Sequence, residues 1–184
     1  VRMRGGQVCI WRGVWLEEGG LRAAGVIAPE VRFASSDLDS LTGLLDRKTF
    51  VARARERLQS PGQHELVVAD LDRLRRLNEA LGHERADLAL GSRLAAAFPP
   101  NALLARVGED EFAVLTPASR PSAAETLRQA LEQPLRVAGF DIHPTLSIGA
   151  VEALGGEDAP EAAELLRRAE LAVEAAKGNG RGGA

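Results

Sequence analysis

The sequence lacks the features of secreted and membrane-embedded proteins. It contains one cysteine, Cys9, so it can form neither an intrachain disulfide framework nor a cysteine-rich zinc site. No apolar run approaches the roughly 18 residues that a membrane span requires, and no signal-peptide pattern opens the chain. These absences predict a cytoplasmic protein without membrane insertion in this segment.

Positive charge is not in excess either. The 23 Lys and Arg residues stand against 26 Asp and Glu residues, which gives a formal net charge of −3. Without a positive field to attract a phosphodiester backbone, nucleic acid is not an expected partner. The 184 residues, 45% of them hydrophobic, suffice for one domain with a closed core plus an appendage. Because the first residue is Val1, we expect the chain to be a piece of a longer polypeptide.

The first 36 residues differ from the rest. Glycine pairs punctuate two short apolar runs, VCIWRGVWL and LRAAGVIA, which predict two strands joined by a Gly-rich turn. We therefore predict that residues 1–36 form a β-hairpin-like extension, or the end of an upstream domain with its linker, for which a PAS-like domain is one candidate. The main domain is then expected over residues 37–184.

From Asp39 onward, helix and strand signals alternate, which is typical of an α/β or α+β domain. Helices are predicted for DRKTFVARARERLQ, RLRRLNEALG, ERADLALGSRLAAAF, SAAETLRQALEQ and PEAAELLRRAELAVEAAK. Strands are predicted for ELVVADLD and HPTLSIGAV. The segments LLAR and FAVL, on either side of VGEDE, predict a β-hairpin with an acidic turn.

Two acidic clusters follow predicted strands. Asp70 and Asp72 end an apolar strand, and Glu109, Asp110 and Glu111 lie at the predicted hairpin turn. Carboxylates at neighbouring strand ends can converge on a hard cation, and magnesium with a nucleoside triphosphate is a common reason for such a site. A solvated turn explains either cluster taken alone.

The tail KGNGR adds cationic side chains to this pattern. Lys177 and Arg181 flank two glycines, where they could reach phosphate oxygens. The alternative is that they merely complement the dipole of the preceding helix.

Five segments, in order and at matching spacing, carry a family resemblance. They are DSLTGLLDR (39–47), ADLDRLRRLNEALGHERAD (69–87), RVGEDEF (106–112), TLSIGAV (145–151) and AKGNGR (176–181). Over roughly 140 residues the chain resembles the GGDEF domain, the diguanylate cyclase family of bacterial cyclic di-GMP signalling. The resemblance implies an α/β (α+β) fold, a ferredoxin-like palm in which helices flank a central, mostly antiparallel sheet, as in nucleotide cyclases.

The resemblance also implies roles for individual residues. Asp70 and Asp110 would bind Mg²⁺, or Mn²⁺, by their carboxylates, and Leu71 would bind it by its backbone carbonyl. Asn78 and Asp87 would hydrogen-bond the guanine edge of GTP, since an amide can donate to O6 while a carboxylate accepts from N1 and N2.

Further residues would handle the phosphates and the chemistry. Lys177 and Arg181 would contact phosphate, and Arg75 would do so where lysine is common in the family. Glu111 would support catalysis beside Asp110, and the turn at Gly108 and Glu109 would border the nucleotide.

The chain departs from the family pattern in ways that bear on activity. Glu109 stands where the family signature has its second glycine, which adds bulk and negative charge at a turn where a phosphate approaches. Its carboxylate could weaken substrate placement, reach the metal or turn into solvent. The stretch FPPNALLA lacks the Arg-x-x-Asp element that binds inhibitory cyclic di-GMP, so product inhibition there is not expected. Glu174 and Asp46 replace an aromatic residue and an asparagine that are frequent in the family.

Three functions remain open from the sequence. The first is a divergent GGDEF domain that binds GTP and Mg²⁺ as a regulatory module, with a sensor domain or an EAL phosphodiesterase domain adjacent in the full-length protein. The second is an active diguanylate cyclase, which would work as a homodimer. The third is a nucleotide-free scaffold for dimerisation or docking, although the presence of Asn78 and Asp87 argues against it.

Overall fold

The computed structural model describes residues 9–12, 26–29, 37–72, 85–137 and 139–178. The chain divides into two compact units, Val1–Ala34 and Ser35–Ala184. In the first unit, strands β1 (Cys9–Arg12) and β2 (Val26–Pro29) pair in antiparallel orientation, with Cys9 opposite Pro29.

The second unit is built on a five-stranded sheet. Its strands are β3 (Leu45–Asp46), β4 (Gly62–Asp72), β5 (Leu103–Arg106), β6 (Glu111–Pro117) and β9 (Thr145–Gly155), in the spatial order β3-β5-β6-β4-β9. Strand β3 runs parallel to β5, and the other neighbouring pairs in the sheet are antiparallel. The order β5-β6-β4-β9 is that of a ferredoxin-like β-α-β-β-α-β unit, so the predicted mixed fold with a mostly antiparallel sheet is confirmed.

Four described helices and a small hairpin complete this unit. The helices are α1 (Arg47–Leu58), α2 (Arg85–Ala97), α3 (Ala123–Glu132) and α4 (Ala162–Gly178). The hairpin pairs β7 (Leu135–Val137) with β8 (Phe140–Ile142) and was not predicted, because strands of three residues give too little alternation. The helix predicted for RLRRLNEALG lies outside the described residues. In the described part of the chain, no helix is long and apolar enough to cross a membrane.

Local sequence signals explain where two of these helices begin. Asp46 caps α1 by accepting a hydrogen bond from the backbone N–H of Thr49 at 2.7 Å. Ser122 and Glu125 form a reciprocal capping box at the start of α3. Each cap satisfies backbone donors that the first helical turn leaves unpaired.

The central strand β4 separates two apolar layers. Its residues Val67, Ala69 and Leu71 belong to the core formed with α2, α3 and the β7–β8 hairpin. Leu66 and Val68 are equally buried on the opposite face, where α1 and α4 pack. Because side chains alternate along a strand, Asp70 is directed to the face that carries α4.

Helix α4 lies unusually close to strand β9 at Gly149. A Cβ atom there would fall far inside van der Waals distance of the Ala169 carbonyl oxygen and 2.6 Å from the Val173 nitrogen. A side chain at this position would therefore separate the two elements. Glycine lets the helix backbone rest on the strand, and this fixes the path of α4 across the sheet.

Candidate functional site

The end of β4 and the turn between β5 and β6 lie side by side. In the strand register Asp70 is opposite Glu111, and the backbone N–H of Leu71 donates to the Asp110 carbonyl oxygen at 3.0 Å. Asp70, Leu71 and Asp110, which the sequence predicts as metal ligands, are thus neighbours.

Gly108 has a packing role in this turn. A Cβ atom on Gly108 would lie 2.7 Å from Oε2 of Glu111, whose side chain folds back over the glycine. The backbone N–H of Val107 donates to the Glu111 carbonyl oxygen at 2.9 Å, and that of Gly108 does so at 3.3 Å. Glycine at 108 therefore keeps room for Glu111, whereas the next residue, Glu109, is exposed.

The turn carries uncompensated negative charge. Burial raises the pKa of the Asp110 carboxyl above its ordinary value, and three carboxylates raise it further: Asp70, Asp87 and Glu109. Arg106 opposes this effect without cancelling it. The charge of Glu109 therefore contributes to the raised pKa of Asp110.

Glu111 experiences a similar field. Burial raises the pKa of its carboxyl, and the carboxylates of Glu170 and Asp70 add to the rise. Lys177 and Arg47 act in the opposite direction but leave the pKa above its usual value. A cation bound beside these carboxylates would relieve the repulsion.

Carboxylate oxygens are the ligands that Mg²⁺ prefers, and Asp70 and Asp110 could hold such an ion together. Across the residues that the structure describes, no group of three or more His, Cys, Asp or Glu side chains could hold a metal by itself. Backbone, water or phosphate oxygens would have to complete the coordination shell. This is how Mg²⁺ is commonly bound with nucleoside triphosphates.

Lys177 contributes positive charge beside Asp70. Its Nζ donates to Oδ2 of Asp70 at 2.8 Å and to Oε1 of Glu174 at 3.1 Å. Burial disfavours the charged form of Lys177, but the hydrogen bonds and negative charges of Asp70 and Glu174 together outweigh burial and raise its pKa. The ammonium group is therefore fixed beside a carboxylate that is also a candidate metal ligand.

Arg106 connects the signature turn to α2. Its Nη2 donates to the Glu109 carbonyl oxygen at 2.6 Å and to Oδ1 of Asp87 at 3.4 Å, and its Nη1 lies 3.6 Å from Oδ1 of Asp39. Asp87, in the first turn of α2, is 2% exposed. Arg106 belongs to the RVGEDEF segment, but the sequence analysis assigns it no role.

Most of the predicted site residues converge, and three are not described. The residues near the β4 end and the turn are Asp70, Leu71, Gly108, Glu109, Asp110, Glu111 and Lys177, with Asp87 linked through Arg106. Arg75, Asn78 and Arg181 lie outside the described residues, so their predicted roles stay predictions. Sequence reasoning also gave Arg47 no role, although Arg47 donates to the Val107 carbonyl oxygen at 3.2 Å and to Oε1 of Glu170 at 2.6 Å.

Three known proteins illustrate what the chain resembles. It is 39% identical over 164 residues to the uncharacterized protein Rv1354c of Mycobacterium tuberculosis, covering 82% of this chain and 26% of that protein. It is 35% identical over 158 residues to the diguanylate cyclase TpbB of Pseudomonas aeruginosa, covering 78% of this chain and 36% of TpbB. The crystal structure of the DgcB GGDEF domain from Caulobacter crescentus, in complex with c-di-GMP, superposes with a TM-score of 0.65. The identity is 26%, and the match covers 84% of this chain and 95% of that one.

Family matches divide the chain unequally. The PdeA-like PAS domain family matches residues 1–30, and the family described as diguanylate cyclase, GGDEF domain, matches residues 36–183. The chain spans only about a quarter to a third of the length of the two curated relatives above, at 26% and 36%. The longer match covers nearly all of the second compact unit, and the chain belongs to the GGDEF domain family of cyclic di-GMP signalling.

Proposed function

We propose that this domain binds GTP with Mg²⁺ and acts as a regulatory module in a cytoplasmic signalling protein with several domains. The observation that carries the proposal is the junction of Asp70, Asp110 and Lys177, where two candidate metal ligands lie beside a cation suited to phosphate. The match of residues 1–30 to a PAS family supports a sensor domain as the neighbour. An EAL domain elsewhere in the full-length protein remains part of the proposal.

The residues at this junction fit a divalent cation. Burial is the main cause of the raised pKa of Asp110, and the like-charge repulsion that adds to it would be removed by a bound cation. Asp70 and Asp110 would hold Mg²⁺ by carboxylate oxygens, with the Leu71 carbonyl as a third ligand. When bound, the ion would neutralise charge on the phosphate oxygens and orient the triphosphate. Lys177 would turn from Asp70 to the phosphates.

Asp87 would supply guanine selectivity together with Asn78. A buried carboxylate accepts hydrogen bonds from N1–H and the N2 amino group of guanine, and adenine has neither donor at the matching place. Arg106 holds Asp87 in a partly buried ion pair at 3.4 Å, which would keep the carboxylate oriented. A site built to accept these two hydrogen bonds favours guanine over a base that cannot donate them.

Glu109 is the reason to propose regulation ahead of turnover. It adds a carboxylate to a turn that already lacks compensating charge, and its charge acts on Asp110. At about 4 Å, two unit charges repel by ~1 kcal/mol in water and ~4 kcal/mol at an effective dielectric of 20. Repulsion of this size would misplace a triphosphate without preventing its binding.

The second candidate function is an active diguanylate cyclase. It is favoured by the proximity of Asp70, Asp110, Glu111 and Lys177, and by the similarity to TpbB. Two GTP-loaded domains would face each other as a homodimer, and each 3′-hydroxyl would attack the partner's α-phosphate and release pyrophosphate. Glu111, whose raised pKa favours proton uptake, would assist near the attacking hydroxyl.

One experiment separates these functions. The purified chain is titrated with GTP and Mg²⁺ by calorimetry, and the same mixture is assayed for cyclic di-GMP by chromatography. Binding without product supports the regulatory module, and product from the unaltered chain supports the cyclase. If the chain neither binds GTP nor forms product, both functions are overturned, and a nucleotide-free scaffold is left.

Two variants of Glu109 identify what limits the site. Glu109→Gly removes charge and bulk, whereas Glu109→Gln removes only the charge. A gain in GTP affinity or turnover shared by both variants points to electrostatics, and a gain confined to glycine points to backbone geometry or close phosphate approach. If glycine lowers binding, Glu109 takes part in the site and the unaltered chain is better explained as a competent enzyme.

A further inference from the structure

Lys177 is shared between two carboxylates, and only one of them belongs to the proposed metal site. Asp70 lies at the end of the central strand, and its side chain is 14% exposed. Glu174 lies one turn before Lys177 on α4, and its side chain is 66% exposed. The Glu174 contact is therefore a surface ion pair that no core packing requires.

These two contacts limit the number of hydrogen bonds that Lys177 can donate to a phosphate. An ammonium group has three donors, and here one faces Asp70 and another faces Glu174. Metal binding would occupy Asp70 and free that donor. Nothing in metal binding would release Glu174, which would continue to compete with phosphate oxygens for the same cation.

Charge adds to the competition. Lys177 with Asp70 alone is neutral overall, and Glu174 brings the trio to a net charge of −1. A triphosphate approaching Lys177 would meet this extra carboxylate at the exposed end of the helix. Because the carboxylate is exposed, the penalty should be modest and sensitive to salt.

We propose that Glu174 is a positioning residue that holds Lys177 away from the nucleotide and lowers the affinity of the site for GTP. The inference rests on the proposed GTP-binding function and deepens it, because it attributes part of the lowered GTP affinity to Glu174 on α4, in addition to Glu109 in the signature turn. Glu174 acts through Lys177 and does not touch the nucleotide.

The test compares Glu174→Gln with the unaltered chain by calorimetric titration of GTP at saturating Mg²⁺. The glutamine keeps the size of the side chain and removes its charge. We expect GTP to bind about two- to fivefold more tightly at low ionic strength, the range that corresponds to losing an exposed ion pair. Glu164→Gln is the matched control, because it removes an exposed, ion-paired carboxylate near the start of α4 and should leave GTP affinity unchanged.

Salt distinguishes a charge effect from a change of shape. The gain should shrink as ionic strength rises, because the Debye length falls from about 10 Å at 0.1 M to about 3 Å at 1 M. A gain that is unchanged at high salt would overturn the proposal, as would equal or weaker binding by Glu174→Gln at low salt. If the unaltered chain binds no GTP, the proposed function itself fails. If it binds GTP and Glu174→Gln binds equally, only this inference fails.

Discussion

Substitution of Gly149 by alanine should destabilise the fold and weaken the site together. The added Cβ would lie 2.6 Å from the Val173 nitrogen, well inside the 3.4 Å at which ordinary contact begins, and still closer to the Ala169 carbonyl oxygen. Both atoms belong to the helix backbone, so no side chain can rotate away. Helix α4 would have to move off β9.

The expected cost follows from this clash. Overpacking of a well-packed interior costs about 1–3 kcal/mol. In a domain of this size each kcal/mol lowers the melting temperature by about 2–4 °C. Where the alanine conformation fits, replacing glycine instead stabilises a protein by about 0.4–1 kcal/mol. The structure therefore predicts the opposite sign from the general expectation.

Urea denaturation and GTP titration together test this reasoning. Gly149→Ala should lower the free energy of unfolding and also reduce GTP affinity, because moving α4 carries Lys177 away from Asp70. Gly178→Ala is the control: an added Cβ there meets nothing within 4 Å, so stability should be unchanged or slightly higher. Equal stability of Gly149→Ala and the unaltered chain would refute the close approach of α4 to β9.

Three further predictions concern single contacts. Asp46→Ala should lower stability by about 1 kcal/mol at neutral pH. The hydrogen bond from Thr49 lowers the pKa of Asp46. The contribution of Asp46 to stability is therefore present above its ordinary pKa of about 3.9 and is lost as the pH falls through the lowered pKa. Asp46→Asn should keep the cap and lose this pH dependence in urea unfolding. Arg93→Ala should cost about 1–2 kcal/mol in urea unfolding, because Arg93 donates to three carbonyl oxygens at the end of α3, and Arg93→Lys should recover only part. GTP should bind at least about tenfold more tightly than ATP in competition titrations, and Asp87→Asn should reduce that ratio.

Each of these three predictions has an outcome that would contradict it. If the stability of Asp46→Asn falls with acid as steeply as that of the unaltered chain, the cap is not the titrating group. Full recovery by Arg93→Lys would mean that charge near the helix end, rather than the forked geometry, stabilises α3. Equal affinities for ATP and GTP would remove the guanine assignment of Asp87.

Periodicity in the sequence predicts the elements that have strong patterns. The spacing of Phe50, Val51, Ala54 and Leu58 predicts the buried face of α1. Phe50, Ala54 and Leu58 are buried in the structure, and Val51 is half-buried. The apolar segments on either side of VGEDE predict the β5–β6 hairpin, which is present with Arg106 opposite Phe112. These features depend on neighbours in the chain, so local patterns suffice.

The contacts that organise the site come from distant parts of the chain. Lys177 meets Asp70 across 107 positions of sequence, and no periodicity predicts that partner. Glu174, which the sequence shows only as a replacement of an aromatic residue frequent in the family, contacts Lys177. Arg106 has a role because the signature turn, α2 and the segment around Asp39 all approach its guanidinium group, and that requires the fold.

The long-range pairing of β4 with β9 has a consequence for synthesis on the ribosome. Strand β4 is made early, yet its neighbour β9 and the helix that covers Leu66 and Val68 come from the last third of the chain. Pairing of distant segments requires loop closure, and its entropy cost arises before the stabilising contacts form. In a nascent chain that ends before α4, the part of the central strand that α4 covers is exposed, and Asp70 lacks its contact with Lys177. The GTP binding proposed for this site can therefore begin only after α4 has left the exit tunnel.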